Sequence, residues 1–143
     1  MFIYMLMIKR DSTNLLKKSN LKVTPQRSAI LEVIQNEGHI DIERLVEKVK
    51  GIIPSISVAT IYKNLNSLIE SNIVSELPLP GRKKMYEITH NKHIHFVCKN
   101  CNSLEDIEVD SLEFVKIFQS KFAPNIDDFD VTLYGICKKC QNK

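Results

Sequence analysis

The residues of this 143-residue chain best suited to chemistry are four cysteines and the histidines just ahead of the first two. Cys98 and Cys101 form one CxxC pair and Cys137 and Cys140 another, with 35 residues between them. A CxxC turn lets two thiolates bind one tetrahedral zinc, so the four together make a closed, structural Zn2+ site that ties the start of a lobe to the chain terminus. No cysteine is left over as a nucleophile. The competing use of CxxC is thioredoxin-like redox chemistry. Neither pair lies in a βαβ pattern, and a reducing compartment would not keep two disulfides.

His93 and His95 are two residues apart, so on a strand both rings project to one face and can share an ion. Glu87 and Asp106 are carboxylates able to join them, and His39 offers a third imidazole. Nitrogen and oxygen ligands without thiolate suit Fe2+, Mn2+ or zinc at five-coordinate or looser geometry. An HxH pair alone is nonspecific and serves equally as structure or surface. His90 shows no partner in the sequence and is left outside the candidate set.

These residues need elements to position them. The opening MFIYMLMI is too short for a bilayer, which needs about 20 apolar residues, and it lacks the features of a secretory signal. A cytoplasmic chain with no membrane partner is expected, with Met5 and Met7 as alternative starts. Composition is that of a globular protein, 43% hydrophobic and 26% charged. The net charge of +3 is unevenly spread: residues 1–92 carry 14 Lys+Arg against 9 Asp+Glu, and residues 93–143 carry 6 against 8. The first part is therefore the one to match with an anionic partner.

Residues 11–20 read as a short amphipathic helix. Thr24-Pro25 starts a second, with Ile30, Val33 and Ile34 inward and Gly38 as its stop. Asp41 caps a third, with Ile42, Leu45, Val46 and Val49 on one face, ended by Gly51 and Pro54. Ser57 caps a fourth, whose stripe of Ile61, Leu65, Leu68 and Ile69 is inward. Opposite it lie Ala59, Thr60, Lys63, Asn66 and Ser67, with Tyr62 at the edge. That face carries hydrogen-bonding groups, one cation and no carboxylate, which suits base edges and phosphates as well as plain solvent. Strands at 73–77 and 85–88 follow, joined by a turn bearing Arg82, Lys83 and Lys84. Helices followed by a basic hairpin describe a winged helix, with the last helix for the major groove and the wing for the adjoining backbone.

Beyond residue 93 the pattern turns to strands at 94–98 and 104–109, a helix at 112–122 with Leu112, Val115 and Phe118 inward, and a strand at 126–136. The expected architecture is α+β: a winged-helix DNA-binding domain over 1–88, then a small α/β metal-binding domain over 89–143.

TPQR at 24–27, ISVATIYKNLNSL at 56–68, HIHFVCKNC at 93–101 and YGICKKC at 134–140 together resemble the ferric uptake regulator family of bacterial metal-dependent repressors. The resemblance implies a homodimer, with 89–143 as its dimerisation domain, that binds a double-stranded DNA operator and is not an enzyme. It implies zinc at Cys98, Cys101, Cys137 and Cys140, and a regulatory Fe2+ or Mn2+ at His39, Glu87, His93, His95 and Asp106. Ala59, Thr60, Tyr62, Lys63 and Asn66, with Arg82, Lys83 and Lys84 of the wing, are the expected DNA contacts. The HIH triplet and short C-terminus resemble the peroxide-sensing branch. Glu87 instead resembles the iron-uptake branch, which uses glutamate where the peroxide branch has aspartate. Lys63 matches neither, and Phe129 stands near the position where many iron regulators carry a further histidine. Alternatives from other classes are a non-haem iron enzyme, using two histidines and a carboxylate as an open triad, and a zinc-stapled interaction module.

Overall fold

The computed structural model describes residues 12–119 and 124–142. The chain divides into two compact units, Met1–Thr89 and His90–Lys143. The opening apolar stretch and residue 11 of the first expected helix lie outside the described residues; residues 12–18 are helical (α1).

In the first unit, helix α2 spans Pro25–Glu37. The Thr24 hydroxyl accepts from the Arg27 N–H at 3.3 Å, and Pro25 gives up a donor that has no helical partner in any case. Gly38 ends the helix at φ +76°, a left-handed conformation natural to glycine, and its N–H donates to the Ile34 carbonyl. Strand β1, Ile40–Asp41, follows at once. Asp41 then caps α3, Ile42–Ile52, accepting from Arg44 N–H at 3.0 Å. This helix runs through Gly51, one residue past its expected stop, since one glycine costs a helix only about 1 kcal/mol. Ser57 caps α4, Val58–Glu70.

Strands β2, Val74–Leu77, and β3, Met85–Ile88, pair antiparallel. The wing between them turns at Leu79–Arg82, where the Arg82 N–H reaches the Leu79 carbonyl at 3.1 Å. Pro80 and Gly81, the latter at φ +71°, fill the two central positions that a type II turn reserves for them. The sheet order is β1-β3-β2, so a strand that periodicity cannot detect completes a three-stranded winged-helix sheet. Ile30, Leu31, Ile34, Leu45, Ile61, Leu65 and Leu68 are fully closed from solvent in one core. Each such side chain stabilises the unit by about 1.5–3 kcal/mol of burial.

The second unit holds β4, His93–Cys98, β5, Leu104–Glu108, helix α5, Ser111–Phe118, strand β6, Thr132–Gly135, and a short α6, Lys138–Gln141. Its sheet order is β5-β4-β6, with β5 antiparallel and β6 parallel to β4. Asp110 caps α5 by accepting from the Leu112 and Glu113 N–H groups.

Two expectations fail here. Helix α5 stops at Phe118, where Gln119 turns extended, and none of its residues is buried: Leu112 is 76% exposed and Phe118 58%. The sixth strand shrinks from eleven expected residues to four, because Asp127, Asp128 and Asp130 disfavour a pleat. Asp128 instead pairs with Lys92 Nζ at 2.5 Å, and the same ammonium lies over the Phe129 ring.

Candidate metal centres and nucleic-acid face

The two CxxC turns meet. Cys98 ends β4 and Cys137 caps α6, and one sulfur from each of the four cysteines lies within 4.8 Å of the others. Cys101 Sγ and Cys137 Sγ are 3.8 Å apart. Two thiolates on a tetrahedral zinc, with Zn–S near 2.3 Å, are separated by about 3.8 Å, so the cluster fits that ion. Electrostatics point the same way. The Cys98 thiol is lowered to about 6 by backbone N–H groups of Cys101 and then Cys137, the latter directed at its sulfur. Cys140 is pushed up to about 11: a hydrogen bond from Asn100 works downward, but neighbouring sulfurs, Cys137 foremost, outweigh it. Four thiolates this close repel one another, and a divalent cation relieves the repulsion.

A second cluster lies on the sheet of the same unit. His95 pairs in register with Asp106 across β4 and β5, and His93, two residues earlier, shares their face. His93 Nε2 and His95 Nε2 are 2.8 Å apart, and Asp106 Oδ1 lies 3.5 Å from the first and 3.4 Å from the second. Adjacent ligands held about 2.1 Å from an ion stand roughly 3.0–3.4 Å apart, so the three atoms fit one ion. His93 Nδ1 meets the Asn91 carbonyl at 2.9 Å. Donation to that carbonyl selects the tautomer that turns the Nε2 lone pair toward its neighbours. His90, left aside in the sequence, belongs beside this cluster. Its ring stacks on His93 with centroids 4.0 Å apart, and its Nε2 is 3.8 Å from Asp106 Oδ2. The signal for it was simple crowding: three histidines within the six residues HNKHIH.

In the first unit His39 Nε2 and Glu87 Oε2 stand 3.0 Å apart. Strand β1 is the cause. Ile40 pairs with Tyr86, so one step outward His39 falls opposite Glu87 on the same face. Glu87 is 4% exposed, an expensive place for a carboxylate without a cationic or hydrogen-bonding partner.

On α4, Ala59, Tyr62, Lys63 and Asn66 are exposed, with Tyr62 at 43%. Thr60 is half-buried, and its hydroxyl lies 2.8 Å from that of the cap Ser57, so part of its role is to close the helix end. Two wing cations have carboxylate partners that the sequence did not reveal: Lys83 with Glu43 at 2.6 Å and Lys84 with Glu76 at 3.3 Å. Such exposed pairs are weak and screened by salt, so phosphates can replace them. Arg82 is half-buried at the wing turn.

The model of the ferric uptake regulator family matches residues 18–134. The chain belongs to that family. Similar curated proteins include the peroxide-responsive repressor PerR of Staphylococcus saprophyticus, 33% identical over 139 residues, covering 93% of this chain and 91% of the relative. Among solved structures, this family member resembles the Campylobacter jejuni peroxide stress regulator at 36% identity and TM-score 0.71, covering 90% of this chain and 98% of that one. It also resembles the Francisella tularensis ferric uptake regulator with iron at 26% identity and TM-score 0.68, covering 85% and 95%. The winged helix followed by an α/β unit is thus the arrangement of the ferric uptake regulators, and among the described residues no helix is long and apolar enough to cross a membrane.

Proposed function

We propose that this member of the ferric uptake regulator family is a metal-dependent, peroxide-responsive transcriptional repressor, active in the cytoplasm as a homodimer on a double-stranded operator and not as an enzyme. Cys98, Cys101, Cys137 and Cys140 hold a structural Zn2+. His93, His95 and Asp106 share one regulatory Fe2+ or Mn2+ with His39 and Glu87. The observation that carries this is the pair of sensing clusters, one in each unit, each spaced as neighbouring ligands of an ion. An ion bound by both sets couples the unit bearing α4 and the wing to the unit bearing the exposed apolar helix. It favours the DNA-competent arrangement only to the extent that it binds that arrangement more tightly.

On the DNA side, α4 offers Ala59, Thr60, Tyr62, Lys63 and Asn66 to the major groove, and the wing offers Arg82, Lys83 and Lys84 to the backbone. Peroxide sensing is supported by the likeness to two peroxide regulators. Bound iron supplies the redox chemistry that lets peroxide oxidise a histidine ligand. Glutamate rather than aspartate at position 87, as in the iron-uptake branch, favours iron sensing without oxidation as the second possibility.

The deciding experiment is an operator-binding titration with Fe2+ and with Mn2+, each with and without peroxide. Loss of binding on peroxide treatment with iron but not with manganese is expected. Insensitivity with both ions selects plain iron sensing. His93→Ala is expected to abolish metal-dependent binding while keeping the zinc; unchanged DNA affinity would remove the site from the mechanism.

A further inference from the structure

His90 is the one histidine that the proposed function does not use. It lies flat against His93, ring centroids 4.0 Å apart and planes only 12° from parallel. An ion bound in the plane of the His93 ring lies about 4 Å from the plane of His90, too far off axis for His90 to ligate it as well. Its nitrogen instead faces Asp106, and the two oxygens of that carboxylate are divided. Oδ1 faces His93 and His95 at 3.5 and 3.4 Å, while Oδ2 faces His90 Nε2 at 3.8 Å. The latter distance is an electrostatic contact rather than a hydrogen bond.

We propose that His90 is a positioning residue for the regulatory ion: it packs His93 in place and occupies the outer oxygen of Asp106, so that Asp106 offers a single oxygen to the metal. This rests on the assignment of His93, His95 and Asp106 as ligands. A carboxylate free to swing offers both oxygens, which raises the ligand number and the share of oxygen. Oxygen-rich, looser sites suit manganese, whereas imidazole-rich sites suit later transition metals such as cobalt or iron. His90 therefore sets the preference between metals as well as affinity. Hydrogen-bonded outer partners of a ligand are worth about 10–100-fold in metal affinity, and a 3.8 Å contact belongs at the bottom of that range. Because the His90 side chain is 47% exposed, the effect belongs at the lower end, about tenfold.

The test uses the full-length, zinc-loaded protein titrated with Co2+ and with Mn2+, comparing wild type with His90→Ala, His90→Gln and His93→Ala. His90→Ala is expected to weaken cobalt about tenfold and manganese clearly less, with the visible cobalt bands weakening as ligands are added. His90→Gln, whose amide N–H can reach Asp106, is expected to recover most of both changes. Wild-type affinities and an unchanged cobalt spectrum in His90→Ala overturn the proposal. So does an equal loss for both ions without spectral change, which marks a merely structural role, and so does failure of His90→Gln to rescue. The underlying ligand assignment fails separately, if His93→Ala binds both ions as the wild type does. Zinc content, measured on each variant, certifies that the second unit remains folded.

Discussion

In the first unit a continuous aliphatic core runs from Leu16 to Tyr86, and its outward helix face is polar. In the second, the buried set among the described residues is Ile94, Val97, two cysteines and a histidine, while Leu112, Ile117 and Phe118 face outward at 76%, 75% and 58% exposure. Phe114, Val115, Ile126, Phe129 and Val131 line an apolar recess beside them. A unit this small cannot close a core of its own, and such units depend on a metal, a disulfide or association. The first unit is stabilised by burial; in the second, the clustered cysteines and the open apolar face are where the proposed zinc and the proposed partner chain would supply what burial does not.

The largest expected effect breaks the staple. Cys137→Ser should release zinc and unfold the second unit, since structural zinc contributes on the order of 10 kcal/mol, while the helices of the first unit persist. Zinc content and amide exchange resolved by unit measure this; protected β4 amides without zinc would erase the contrast. Next, Leu45→Ala should cost the first unit about 2–5 kcal/mol in denaturant unfolding. Ile117→Asp on the exposed face should change folding by no more than about 0.5 kcal/mol yet weaken self-association in sedimentation. An unfolding loss from Ile117→Asp with association intact would show that α5 belongs to a core after all. The smallest effect lies on the wing, where Lys83→Ala and Lys84→Ala should each lower the salt slope of DNA binding by about one unit. An unchanged slope would mean that Glu43 and Glu76 retain these cations in the complex.

The first unit was largely legible in sequence because its signals are local. Thr24-Pro25, Asp41 and Ser57 mark helix starts by capping chemistry, and the apolar spacing of α4 shows which side is buried. Strand β1 was invisible, since two residues carry no period, and with it went the reason why His39 meets Glu87. In the second unit the CxxC spacing revealed the cysteine cluster, but apolar periodicity misled at α5. A stripe left for a partner chain, as in the proposed homodimer, has the same period as one that faces a core. The strand expected over 126–136 failed in its first half because Asp127, Asp128 and Asp130, a residue type depleted in strands, crowd it and pair with Lys92 or remain in solvent. His90 was passed over because its significance lies in stacking and in the second oxygen of a carboxylate, neither of which sequence spacing encodes.

Strand β3 is only Met85–Ile88, yet Glu87 lies near one end and Lys84 adjoins the other. Three residues of extended chain span about 10 Å, with partners on both sides holding them rigid. If Glu87 holds the ion and Lys84 the DNA backbone, as proposed, so short a rod leaves little slack between them, and the shortest path from one to the other is a single strand inside one lobe.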